Sequence, residues 1–222
     1  VYKRQPIVLR DYQVDIINQF LDTPQCVQEI ATGAGKTLIT AALSERVEQY
    51  GRTVVIVPNK DLVRQTAEDY ENMGLDVGVY FGDKKEMNKT HTICTWQSLN
   101  TMEKRFRDGL SEISLAEFLQ GVVCVMVDEV HQAKADVLKK LLTGPFSNVP
   151  LRWGLTGTIP KEQHEFFGIR AGLGQVINKL SAHELQEEGV LAECNIDIVQ
   201  MQDTVDFPVS YTHLRAHETT DN

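Results

Sequence analysis

The sequence predicts an α/β fold: a mostly parallel central sheet flanked by helices. Three observations point there. Short apolar runs alternate with amphipathic stretches, the pattern of βαβ units. Val122–Val127 and Thr53–Val57 are continuous apolar or β-branched runs, as strands covered on both faces require. A glycine-rich turn at 31–35 sits between a strand and a helix, where a parallel sheet places its ligand loops.

Taken in order, residues 10–21 set Tyr12, Ile16, Ile17 and Phe20 at helical spacing. Residues 25–30 read as a strand running into the turn. Residues 36–49 read as a helix carrying Leu38, Ile39, Ala42, Leu43 and Val47. Strand Thr53–Val57 stops at Pro58, which has no N–H to extend a ladder. A helix over 60–72 follows, then short strands at Val77–Phe81 and Thr92–Thr95. Val122–Val127 precedes a helix over 133–142 and a strand at Leu151–Leu155. Gln175–Leu180, a helix over 181–188 and a strand at Asn195–Val199 close the globular part. From about Val209 the chain is polar with no period. The domain is therefore expected to span 1–208, ending near 200, with 209–222 a tail that is either frayed or foreign to the fold.

The chain has 222 residues, enough for one core plus a small appendage. No apolar run approaches the roughly 20 residues of a membrane span, and no signal peptide opens the chain, so a cytoplasmic location is expected. Cys26, Cys94, Cys124 and Cys194 are scattered, without ligand spacing, and read as reduced buried thiols. The net charge of −9 argues against nucleic-acid binding over most of the surface. A local basic segment can still hold a strand, and short ones occur at 59–64 and 84–89.

The strongest motif is Ala31-Thr32-Gly33-Ala34-Gly35-Lys36-Thr37. Small residues let this backbone fold tightly, with its N–H groups toward phosphate oxygens at a helix N-terminus. Thr32, Gly33, Ala34 and Gly35 would form the cradle. Lys36 would reach the β- and γ-phosphates of ATP, and the Thr37 hydroxyl would ligate Mg²⁺. The general pattern has a glycine five residues before Gly35, and Ile30 stands there, leaving Thr32-Gly33 to make the turn. The second motif, Asp128-Glu129-Val130-His131, follows the apolar strand 122–127. A carboxylate at a strand end can hold Mg²⁺, a part for Asp128, and the next can take a proton from water, a part for Glu129.

With its DExH box, this pair of motifs resembles the superfamily-two helicases and translocases. The resemblance covers residues 8–200 and implies a RecA-like P-loop NTPase domain. Leu9-Arg10-Asp11-Tyr12-Gln13 looks like the family's adenine-reading segment, with Arg10 and Gln13 near the base. Pro58-Asn59-Lys60-Asp61-Leu62-Val63-Arg64-Gln65 resembles motif Ia, and Thr95-Trp96-Gln97-Ser98-Leu99 the segment before motif II. Pro58, Lys60, Arg64, Gln65, Thr95, Gln97 and Ser98 are thereby implied to meet nucleic acid. Leu155-Thr156-Gly157-Thr158 occupies motif III, which implies that Thr156 and Thr158 couple hydrolysis to strand movement, with His131 in the same circuit. Leu185-Gln186-Glu187-Glu188-Gly189-Val190-Leu191 looks like the end of this domain in relatives of the XPB, UvsW and restriction-motor kind. Motif III departs from the commoner Ser-Ala-Thr, and nothing after residue 200 resembles motifs IV to VI or an arginine finger.

Bland alternatives stand beside these roles. Trp96 could stack on a base or fill the core. Lys60 and Arg64, at i and i+4, could be phosphate contacts or a solvated face. The resemblance implies an ATP- and Mg²⁺-using motor of phage or bacterial type that acts on nucleic acid, DNA rather than RNA. A second RecA-like domain, missing from this sequence, is implied as its partner. The competing readings are a truncated ATP- or nucleic-acid-binding module without turnover, and the motor subunit of a restriction enzyme.

Overall fold

The computed structural model describes residues 7–111, 113–132, 135–159 and 163–192. The chain divides into two compact units, Val1–Leu191 and Ala192–Asn222, and all described residues but Ala192 lie in the first. The predicted strand Asn195–Val199 and the tail 209–222 lie outside the described residues.

In chain order the elements are α1 (Asp11–Asp22), β1 (Gln25–Ile30), α2 (Lys36–Val47), β2 (Arg52–Val57), α3 (Lys60–Asn72), β3 (Val77–Phe81), β4 (Lys84–Lys85), β5 (His91–Thr95), α4 (Trp96–Arg107), α5 (Leu115–Phe118), β6 (Val122–Val127), α6 (Ala135–Thr143), β7 (Leu151–Thr156), α7 (Gln163–Leu173), β8 (Gln175–Leu180) and α8 (Ala182–Glu187). The strands form one eight-stranded sheet in the order β4-β3-β5-β2-β6-β7-β1-β8. Every pairing is parallel except the β3–β4 hairpin.

Strand alternation divides the interior into two apolar layers. Val55 and Val57 of β2, with Cys124 and Met126 of β6, pack on the side of α1, α2 and α3. Their neighbours Val54, Ile56, Val125 and Val127 pack on the side of α4, α5, α6 and α7. Central strands covered on both faces explain the unbroken apolar runs. The edge strand β8 alternates exposed and half-buried positions instead.

Four elements are not predicted from the sequence: β4, α4, α5 and α7. The apolar face of α4 is thin, with only Leu99 and Met102 buried. β4 is two exposed lysines. The predicted helix over 36–49 ends at Val47, because Glu48 to Gly51 form a turn into β2.

The strand order determines where the motifs meet. In a parallel sheet every strand's C-terminal end lies on one edge, where ligands bind. Along that edge the order β1, β7, β6, β2, β5 lines up the phosphate loop, Thr156–Thr158, Asp128–His131, Pro58 and Thr95–Ser98.

Candidate active site

The phosphate loop turns at Gly33 (φ 90°) and Gly35 (φ 78°), both left-handed. Gly35 is the N-cap of α2 and offers no side-chain oxygen to the helix's first N–H groups. Those donors and the helix dipole therefore face outward, as an anion site requires. Two neighbours also demand glycine here. A Cβ on Gly35 would lie 2.7 Å from Gln13 Nε2, and one on Gly33 would lie 2.7 Å from Leu191 Cδ2.

Gln13 is buried, and its amide is spanned by two bonds. It accepts from the Arg10 N–H at 3.0 Å and donates to the Ala34 carbonyl at 2.9 Å. The Tyr12 hydroxyl donates to the same carbonyl at 3.1 Å. The start of α1 is thus tied to the phosphate loop through Gln13 and Tyr12.

Lys36, at the start of α2, forms a 2.5 Å ion pair with Glu129 Oε1, and the two side chains are only 9% and 16% exposed. This pair brings the two principal motifs together. Glu129 is the one non-glycine with positive φ (48°) among the described residues. Such backbone costs about 1–3 kcal/mol and persists where surrounding contacts hold it. The turn aims the Glu129 carboxylate back over the sheet edge. There its Oε2 accepts the Gly157 N–H at 3.2 Å. A Cβ on Gly157 would sit 3.3 Å from Thr32 Oγ1 and 3.4 Å from Lys36 Nζ, so glycine lets β7's end approach both. Gly157 belongs to the predicted motif, but its residue type alone does not mark it as a site residue. Its N–H contact depends on the fold, which spacing along the chain does not reveal.

His131 joins the same cluster. Its Nδ1 is 2.8 Å from Thr156 Oγ1 and 3.4 Å from Glu129 Oε2. The Thr156 hydroxyl donates to the Thr158 carbonyl at 2.7 Å, which uses its one proton. By this assignment His131 Nδ1 carries the hydrogen and donates to Thr156. Any movement of Glu129 or of the 156–158 turn is therefore felt by the other.

Asp128 closes β6, and its Oδ1 accepts the Glu129 N–H at 2.9 Å. Part of the residue remains accessible, yet its carboxyl is enclosed enough for burial to push the pKa from 3.8 to about 6, against the pull of Lys36. A raised carboxyl pKa means the folded state prefers the neutral form. Below about pH 4 the group is protonated folded or unfolded and costs nothing, while above about pH 6 its ionisation costs stability. Asp128→Asn keeps the Oδ1 acceptor and should stabilise the ligand-free chain at pH 7.5 by about 1–3 kcal/mol. In urea denaturation the gain should shrink toward pH 4.5. An equal gain at both pH values would refute this account of the carboxyl.

Thr37 Oγ1 in the first turn of α2 and the Asp128 carboxylate at the end of β6 are hard oxygen donors of the kind Mg²⁺ takes, and their chemistry suits a metal–triphosphate. Among the described residues Lys36 is the one lysine or arginine bonded within this cluster.

The predicted strand-contact residues fall on the same sheet edge with different local duties. Thr95 is buried and caps α4, accepting from Ser98 N at 3.2 Å, with its hydroxyl 2.9 Å from Ser98 Oγ. Gln97 is exposed and donates to the Pro58 carbonyl at 3.3 Å, joining the two segments. Lys60 and Gln65 are exposed. Arg64 pairs with Asp61 at 2.9 Å and lies 5.2 Å over the Phe81 ring. Trp96 is half-buried against the α4–α6 layer.

A parallel α/β sheet with this edge defines a P-loop nucleotide-binding domain of the RecA-like kind. The chain belongs to the family described as type III restriction enzyme, res subunit, whose model matches residues 6–161. It is similar to the DNA 3'-5' translocase XPB2 of Sulfurisphaera tokodaii, 24% identical over 188 residues, covering 82% of this chain and 38% of that protein. It is also similar to the DNA 3'-5' helicase XPB of Kineococcus radiotolerans, 28% identical over 158 residues, covering 69% and 27%. The chain thus spans well under half the length of these relatives. Among solved structures, the UvsW helicase of bacteriophage T4 shares the fold with TM-score 0.64 and 19% identity, over 76% of this chain and 59% of that one. The Hef helicase domain of Pyrococcus furiosus does so with TM-score 0.61 and 24% identity, over 77% and 37%. Among the described residues no helix is long and apolar enough to cross a membrane.

Proposed function

We propose that this domain is the ATP-hydrolysing half of a nucleic-acid motor, a DNA translocase or helicase, completed by a second RecA-like domain. The observation that carries the reading is the Lys36–Glu129 pair, which joins the phosphate loop to the DExH acid across β7. Bound Mg-ATP would supply the phosphoanhydride to be split. Lys36 would exchange Glu129 for phosphate oxygens, and Thr37 and Asp128 would hold the metal. Glu129, released but still oriented by the Gly157 N–H, accepts a proton from water. The His131–Thr156–Thr158 chain ties that carboxylate to the end of β7, a route for coupling hydrolysis to movement of the edge that meets the strand. The names of the XPB relatives support DNA over RNA.

Lys36→Ala should weaken Mg-ATP binding about ten- to a hundredfold, since a charge-assisted phosphate contact contributes about 1.5–3 kcal/mol. Calorimetric titration reads it directly, and equal affinities in wild type and variant would sink the nucleotide assignment.

A further inference from the structure

From the motif residues Gln97 and Ser98 a cleft on the sheet edge extends to residues that no motif names. It has a volume of about 200 Å³ and is lined by Gln97, Ser98, Thr101 and Arg105 of α4, with Lys85 of β4 and Ser111. Two cations from different elements face it, and among the described residues no carboxylate lines it. In a chain of net charge −9 that is a local reversal of sign.

The hairpin pairing explains the segregation. Tyr80 pairs with Lys85 and Phe81 with Lys84, so successive lysines point to opposite faces. Lys84 lines a different cleft, with Arg64 and the acids Glu68, Glu71 and Glu86. Lys85 lines the acid-free one. Among the described residues neither Lys85 nor Arg105 pairs with a carboxylate, whereas Arg64 pairs with Asp61 and Lys89 with Asp76. Arg105 is steadied by one bond, Nη2 to the Leu110 carbonyl at 3.4 Å, and its other N–H groups remain to face a ligand.

Position identifies the ligand. Gln97 borders this cleft and also bonds the Pro58 carbonyl. Gln97, Thr101 and Arg105 recur every fourth residue, so they form one face of α4 running about 12 Å from Pro58's side toward Arg105. A strand crossing Pro58 and Gln97 is led along this face. We infer that Lys85 and Arg105 clamp a backbone phosphodiester of the bound single strand, extending its path beyond Gln97 and Ser98. This rests on the nucleic-acid reading proposed above.

The test is fluorescence anisotropy of the full chain with a labelled single-stranded oligothymidylate across a salt series. Lys85→Ala/Arg105→Ala should weaken binding about tenfold near 0.1 M salt and lower the log–log salt slope by about 0.7–1.4, the loss of one or two phosphate contacts. Both side chains are exposed, and unchanged Mg-ATP affinity would confirm that the variant is folded. Lys104→Ala/Arg107→Ala removes the same charge from α4 outside the cleft and should have a clearly smaller effect. If the two double variants weaken binding equally, or the cleft variant leaves the slope unchanged, the strand does not pass here although the motor reading stands. If the wild-type chain binds no strand at any salt, the clamp and the nucleic-acid reading fail together.

Discussion

Glu129→Gln should bind Mg-ATP more tightly than the wild type while losing its turnover. The Glu129 carboxylate holds Lys36 at 2.5 Å, in surroundings that leave the pair only 9% and 16% exposed. To serve the phosphates fully Lys36 must weaken that pair, and the carboxylate then faces the phosphates' negative charge. Glutamine keeps the shape and can still accept from the Gly157 N–H, yet it lets Lys36 go at lower cost and does not repel phosphate. Taking about 1–2 kcal/mol for a partly buried pair predicts about five- to thirtyfold tighter binding. Amide cannot accept water's proton, so hydrolysis should fall about 10²–10⁴-fold. The affinity is read by titrating the chain with a non-hydrolysable ATP analogue, and turnover by phosphate release from the chain joined to a second RecA-like domain. Affinity no tighter than wild type would mean that the Lys36–Glu129 pair is no barrier to binding. Retained turnover would remove Glu129 from the role of base.

What was legible in the sequence follows from what each feature needs. The sheet showed through Val122–Val127 and Thr53–Val57 because strands buried on both faces tolerate little besides apolar residues. The phosphate loop showed because its glycines are required by left-handed backbone and close neighbours. α4 stayed hidden because two buried residues in twelve make almost no pattern. Spacing along the chain also says nothing of strand order. That β7 lies between β1 and β6, placing Gly157 against both Lys36 and Glu129, is a property of the fold alone. The Thr95–Ser98 pair shows the converse. Its residue types suit both phosphate contact and helix capping, and here Thr95 caps α4 with its hydroxyl bonded to that of Ser98.

Phosphate release by these 222 residues alone should be about 10³–10⁵-fold slower than by the same chain completed with a second RecA-like domain, the contribution of an arginine finger in related phosphoryl transfer. The reason is charge. Transfer of the γ-phosphoryl is accelerated by positioning and by neutralising its equatorial oxygens. Lys36 supplies one cation to that cluster, and among the described residues no arginine is bonded there. The site also lies open along a sheet edge, where water screens each charge that an opposing wall would otherwise strengthen. A nucleic-acid strand added to the chain by itself should raise the rate little, because the strand can lie on this edge without bringing a second cation to the phosphates. Adding the second domain together with the strand should raise it by the full factor, since on the proposed reading closure of the two domains would deliver both the arginine and the wall. Robust strand-stimulated release by the chain alone would place a catalytic arginine within this sequence and overturn the division of labour proposed for the motor.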